Sequence, residues 1–200
     1  MSDAKLYSAA CERNQDPILH ILQRVFPKKG RVLEIAAGTG MHSVYFSKNL
    51  PGLEWFPTDP DSEARRSIDA WRLDENIPNL HSAQSLDTCE DFSWIGKTDA
   101  ILCANMIHIS PWASTEGLFR GASEILTHAG VLLTYGPYFF PGTPPEPSNL
   151  DFDASLRSRN PQWGIRSIEK VSEVAKKQSF VLSETVPMPA NNHALIWTRI

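Results

Sequence analysis

Val32-Leu33-Glu34-Ile35-Ala36-Ala37-Gly38-Thr39-Gly40 is the stretch on which the reading of the fold turns. It opens short and apolar, as a strand buried on both faces of a parallel sheet must. The glycines then mark a strand-to-helix turn. Lacking side chains, they let the backbone approach a ligand closely, and the following helix offers unpaired N–H groups at its start. Nineteen positions after Gly40 stands Asp59, at the end of a second apolar run over 53–58. A carboxylate placed there can accept both hydroxyls of an adenosine ribose. The glycines alone also read as a tight turn with no ligand; Asp59 at this spacing is what favours a nucleotide site.

Outward from this centre, strands and helices alternate. Asp16-Pro17 reads as an N-cap with proline at the first helical position, followed by an apolar stripe at Ile18, Leu19, Leu22, Val25 and Phe26 that Pro27 ends. Val44 and Tyr45 mark a helix after the glycines, and Ala64, Ile68 and Trp71 mark another. Residues 80–86 predict a third strand leading to Asp87, 99–105 a fourth and 131–135 a fifth. A loop is expected over 107–113, and a helix carries Leu118, Ala122, Ile125 and Leu126. A helix over 167–178 precedes two strands, 180–186 and 193–198, which read as a hairpin. The expected fold is α/β: a Rossmann-like sheet of seven strands, mostly parallel, with an antiparallel C-terminal hairpin and helices on both faces. Residues 1–200 are read as one domain. Residues 137–164 are too long for an ordinary connection and rich in proline and aromatic rings, which suggests a lid over the site.

The chain has 200 residues, a formal net charge of −4 and a pI near 5.9. That balance argues against a dedicated nucleic-acid binder, which needs concentrated Lys and Arg. Lys28-Lys29-Gly30-Arg31 reads as a solvated turn before a strand. No apolar run approaches the roughly 20 residues that span a bilayer, and residues 1–13 lack the pattern of an export signal. Three separated cysteines, Cys11, Cys89 and Cys103, form neither a zinc pattern nor a disulfide framework, and the six histidines show no metal-ligand spacing. A cytoplasmic location is expected.

Glu34 and the glycines after it resemble the acidic-x-Gly-x-Gly-x-Gly signature of class I methyltransferases, with Ala36 in the first glycine position. The third glycine of the NAD fingerprint is missing, because position 43 is Ser. The likeness implies S-adenosylmethionine (SAM) as cofactor, held by Glu34, Ala36, Gly38, Gly40 and Asp59, with Leu86 and Asp87 beside the adenine and Asn105 toward the sulfonium. The closing hairpin matches that fold too and is not expected of an NAD domain. Ala10-Cys11-Glu12-Arg13-Asn14, 33–40, 105–112, 135–138, 163–166 and 188–192 together resemble a family of methyltransferase-like proteins, methyltransferase-like 26. The resemblance implies fold and cofactor class and leaves the substrate open.

His108, three residues past the fourth strand, is the candidate catalytic residue, as a general base toward the nucleophile. Its other reading is a loop histidine packed in place. Trp112, Tyr135, Tyr138, Asn191 and Asn192 are candidates to hold the substrate, and each also reads as a packing or turn residue. Arg13, Arg157 and Arg166 could clamp an anionic group. Nucleic-acid amino-methyltransferases carry a Pro-Pro-aromatic run after the fourth strand; Asn105 is followed here by Met106-Ile107-His108, which favours a small molecule. A non-catalytic SAM-binding scaffold and an NAD(P)-dependent reductase are the alternative readings.

Overall fold

The computed structural model describes residues 4–200. Its first helix, α1 (Ala9–Val25), begins well before the Asp16-Pro17 signal, with the Ser8 hydroxyl accepting the Cys11 N–H at 3.3 Å. Pro17 lies inside this helix. The ring removes one hydrogen bond, but burial of Ile18, Leu19 and Leu22 holds the segment helical through it. The chain continues through β1 (Gly30–Ile35), α2 (Met41–Asn49), β2 (Leu53–Thr58), α3 (Ser62–Glu75), β3 (Thr98–Ala104), α4 (Trp112–Ile125) and β4 (Leu126–Gly136). Then come β5 (Tyr138–Phe139), α5 (Pro147–Arg159), β6 (Arg166–Ser167), α6 (Ile168–Lys177), β7 (Phe180–Met188) and β8 (Asn192–Arg199).

Six strands form the main sheet in the order β2-β1-β3-β4-β8-β7, one fewer than the seven expected. The pairs among β2, β1, β3 and β4 are parallel, and β8 runs antiparallel to both β4 and β7. The missing strand is the one expected over 80–86. Only two isolated bridges, Trp55 with Leu80 and Thr58 with Gln84, join that segment to β2. Pro57 explains the break. It faces this edge, where its carbonyl accepts from the Gln84 N–H at 3.1 Å, and it has no N–H of its own to return. The pairing offset slips from 25 to 26 residues across it, so the ladder cannot propagate.

The sheet separates two cores. Leu33, Ile35, Ile101, Leu132 and Trp197 pack against α4 and α6 on one face; Val32, Leu102, Leu133 and Trp55 pack against α1 and α2 on the other. Residues 137–164, read as loop, contain α5. Proline at its first turn and Arg157 and Arg159 in its last suit a helix. Only Asn149 and Leu156 are buried in it, so no apolar stripe announced it. Its far end is tied down where Asp153 Oδ1 accepts the Ile165 N–H at 2.7 Å and the His108 carbonyl accepts the Gly164 N–H at 3.0 Å. Among the described residues, no helix is long and apolar enough to cross a membrane.

Candidate active site

β1 lies between β2 and β3, so the sheet order reverses beside its carboxyl end. Ligands of open α/β sheets bind in the crevice such a reversal leaves, and there the structure has a cavity of about 530 Å³. Glu34, Ala36, Gly38, Asp59, Leu86, Asp87 and Asn105 all line it, so seven of the eight expected cofactor residues come together, from the carboxyl ends of β1, β2 and β3 and from the segment over 80–87. Among the described residues its lining carries three carboxylates, Glu34, Asp59 and Asp87, and no lysine or arginine.

The turn after β1 takes its shape from three left-handed residues, Ala36 (φ 54°), Gly38 (φ 58°) and Gly40 (φ 86°). Ala36 holds a conformation that costs a side chain about 1–2 kcal/mol. At Gly38 a Cβ would meet nothing within 4 Å, because that face opens on the cavity. Gly40 corrects the expectation. It caps α2 outside the cavity lining, and a Cβ there would stand 2.7 Å from the Cα of Ile68, so this glycine lets α3 pack against the turn.

Asp59 braces the turn. Its Oδ2 accepts the Gly38 N–H and its Oδ1 the Asp61 N–H, each at 2.9 Å. Burial pushes its carboxyl above the usual range, against the pull of those two amides. Asp87 uses Oδ1 to accept the Cys89 N–H at 2.9 Å, forming an Asx turn that fixes the rim. Asn105 adopts φ 64°, which asparagine tolerates, and donates its N–H to the Tyr135 carbonyl at 2.8 Å as the last rung between β3 and β4.

Glu34 is fully buried, with the Ser43 hydroxyl and the Trp55 indole N–H both donating to Oε2 at 2.6 Å. Burial raises its pKa from 4.5 to about 7, and those two donors only partly oppose the shift. A carboxyl raised by folding favours the folded state below the unfolded pKa and loses that contribution as pH climbs through the folded one. Chemical denaturation should therefore show stability falling between about pH 4.5 and pH 7, by about 3 kcal/mol. Glu34→Gln, neutral and nearly the same shape, should flatten that limb; an unaltered limb would place the titration elsewhere.

Sequence reasoning missed the side of the cavity formed by α1 and α2. Ser8, Cys11 and His42 line it there, and the His42 Nε2 lies 2.7 Å from Asn14 Oδ1. Burial lowers the His42 pKa to about 4, leaving a neutral ring. Starting α1 at Asp16 hid Cys11 and Asn14. The available signals were the likeness over 10–14 and a polar residue two positions past Gly40. Met106, Ile109, Ser110 and Trp163 line the opposite side.

The expected catalytic and substrate residues are spread out. His108 is only 2 % exposed and does not line the cavity; its ring lies edge-on to Phe152 at 5.6 Å and beside Gly136, where a Cβ would come within 2.8 Å of it. Trp112 opens α4 beneath the Arg166 guanidinium, away from the cavity. Tyr135 is buried on the α1 face beside Asn14. Tyr138 donates its hydroxyl to Thr134 at 3.1 Å and, with Asn191 and Asn192, borders a different cavity. Arg166 is engaged by the Ile107 and Ser110 carbonyls at 3.2 and 2.8 Å, and Arg157 by Asp153 at 2.7 Å, so neither is an anion clamp.

These features define an α/β Rossmann-like methyltransferase fold. The chain belongs to the family described as "Protein of unknown function (DUF938)", which matches residues 5–199. Among solved structures it is similar to the mitomycin 7-O-methyltransferase, with TM-score 0.79, 14% identity, and 94% of this chain and 54% of that one covered. It is also similar to an O-methyltransferase family 2 protein from Planctomyces limnophilus in complex with apigenin (TM-score 0.76, 14% identity, 93% and 62% covered). A third is an O-methyltransferase from neocarzinostatin biosynthesis in complex with SAM and 2-hydroxy-5-methyl naphthoic acid (TM-score 0.70, 13% identity, 93% and 56% covered). The chain spans little more than half the length of these proteins.

Proposed function

We propose that the chain is a SAM-dependent methyltransferase acting on a small molecule, with its cofactor in the cleft formed by Gly38, Asp59 and Asp87. One observation carries this reading: three acidic side chains and, among the described residues, no lysine or arginine line the cleft at the point of sheet reversal. A sulfonium cation suits that lining, and the third glycine of the dinucleotide fingerprint, which lets the helix pack close to the strand, is replaced by Ser43. The antiparallel β8–β7 pair points the same way, as do neighbours whose structures contain SAM, apigenin and a naphthoic acid. The likeness to the methyltransferase-like 26 family, a cytoplasmic location and the absence of a nucleic-acid partner belong to the same proposal.

Asp59 would hold the ribose hydroxyls and Asp87 with Leu86 the adenine side, while Gly38 lets the backbone come close. The cofactor would supply a methyl group already activated by its sulfonium. The remaining work is placement of the acceptor and exclusion of water. Cys11, His42, Met106 and Trp163, on the walls beyond the adenosine residues, are suited to both. Segment 137–164 would act as a cover through Trp163, its one residue bordering the cleft.

Isothermal titration tests the reading. SAM and S-adenosylhomocysteine should bind with dissociation constants in the micromolar range, about −8 kcal/mol, and NAD should give no heat. No binding of either sulfur compound up to about 1 mM, near −4 kcal/mol, would overturn it. Tight S-adenosylhomocysteine binding with no methyl transfer to phenols, acids or amines would leave a non-catalytic SAM binder.

A further inference from the structure

A second cavity, of about 690 Å³, lies where the β5 segment and α5 meet the turn between β7 and β8, and it shares no lining residue with the cofactor cleft. Its walls are mostly rings and aliphatic side chains: Tyr138, Phe140, Ile168, Leu182 and Met188. Into this lining comes His193, on β8, its ring 4.5 Å from that of Phe140. The Nδ1 of His193 is buried and has no hydrogen-bond partner among the described residues. A buried nitrogen left without its hydrogen bond is a cost to the fold, and a ligand hydroxyl would supply the bond. Burial holds the imidazole pKa below its ordinary value, so the ring is neutral at pH 7 and can accept a proton donor's hydrogen bond.

The charge of the lining narrows the occupant. Among the described residues no lysine or arginine borders the cavity, and Glu146 is its only charged side chain. A carboxylate or phosphate would find no counter-charge there. Asn149 also lines it, its amide donating to the Asn191 carbonyl at 3.3 Å, so α5 and the β7–β8 turn that frame the space are joined. Cavities of this size, largely apolar with a few polar groups, take small organic molecules.

We propose that this cavity is a binding site for a neutral, planar aromatic molecule bearing a hydroxyl, which stacks among Tyr138, Phe140 and Met188 and donates a hydrogen bond to His193 Nδ1. The site is separate from the SAM cleft and does not depend on the methyltransferase reading.

The probe is 2-naphthol, titrated by calorimetry into the whole chain with and without saturating S-adenosylhomocysteine. It should bind with a similar constant in both cases, and 2-naphthoate should bind at least about tenfold more weakly, or about 1.4 kcal/mol. His193→Phe keeps a ring against Phe140 but removes the nitrogen, and should weaken 2-naphthol about tenfold while S-adenosylhomocysteine affinity and melting temperature hold. Should that variant fail to fold, Leu182→Trp, which fills the cavity, should abolish binding instead. Displacement of 2-naphthol by S-adenosylhomocysteine would place it in the cofactor cleft and overturn the proposal. So would its failure to bind, or binding unchanged in whichever variant folds.

Discussion

His108→Ala is expected to lower the unfolding free energy by about 2–4 kcal/mol, as removal of a buried ring does, and to leave turnover per folded molecule within a few-fold of the parent. The ring fills the space beside Gly136, which only a glycine leaves open, and packs edge-on against Phe152. Burial, helped by the nearby Arg166 charge, lowers its pKa to about 3. Two consequences follow for pH. An imidazole that weakly basic gives no rate change through pH 6.5, so the pH–rate profiles of parent and variant should coincide between about pH 5 and 8. A histidine lowered by folding contributes its stability above the unfolded pKa and loses it as pH falls through the folded one. The parent should therefore lose part of its stability between pH 6.5 and about 3, and the variant should lose less over that range. Denaturation and kinetics on the same samples decide it. A variant with native melting temperature and turnover lowered about 10²–10⁴-fold would make His108 the general base after all.

Asp59→Ala should weaken S-adenosylhomocysteine binding by about 1.5–3 kcal/mol, roughly 10- to 150-fold, the range for hydrogen bonds to a charged group. The same carboxylate accepts the Gly38 and Asp61 amides, so the variant also frees two backbone donors and should melt lower than the parent. Asp59→Asn separates the effects. It keeps one oxygen acceptor, enough to brace Gly38, while losing the charge and half the acceptor capacity for two vicinal hydroxyls. Its affinity should fall between parent and alanine variant, with a melting temperature nearer the parent. Unchanged affinity in a folded Asp59→Ala protein would mean the ribose lies elsewhere.

The strands were legible where local pattern and burial agree. The core of β1 and β3 stands where apolar runs placed it, because a strand buried on both faces has no other way to be written, and β2, with Glu54 exposed, stands where its own run placed it. Glu34, Ala36, Gly38, Asp59, Leu86, Asp87 and Asn105 were legible for a related reason. All but Leu86 and Asp87 sit at or just past a strand end, the parallel topology brings those ends to one edge, and the 80–87 segment runs beside β2 to the same edge. Local sequence therefore determined six of the seven expected strands, the turn after β1 and which residues gather at the cleft.

What tertiary structure decided lay in contacts between distant segments. Whether 80–86 forms a strand depended on the neighbour it pairs with, and Pro57 in that neighbour withholds the N–H. Whether Gly40 meets a ligand or a helix depended on where α3 packs, and Ile68 occupies the place. Pro17 looked like a helix start because its own ring forbids a hydrogen bond, yet Ile18, Leu19 and Leu22 bury enough apolar surface to carry the helix across it. For His108 the sequence supplied the position, past the end of β3, but not the direction. The short turn after Asn105 carries its ring away from the cleft into the space beside Gly136, while His42, unremarkable in the sequence, is brought to the cavity by the packing of α1 on α2. Side-chain direction at such sites is set by which surfaces are buried against one another, and no window of neighbouring residues contains that information.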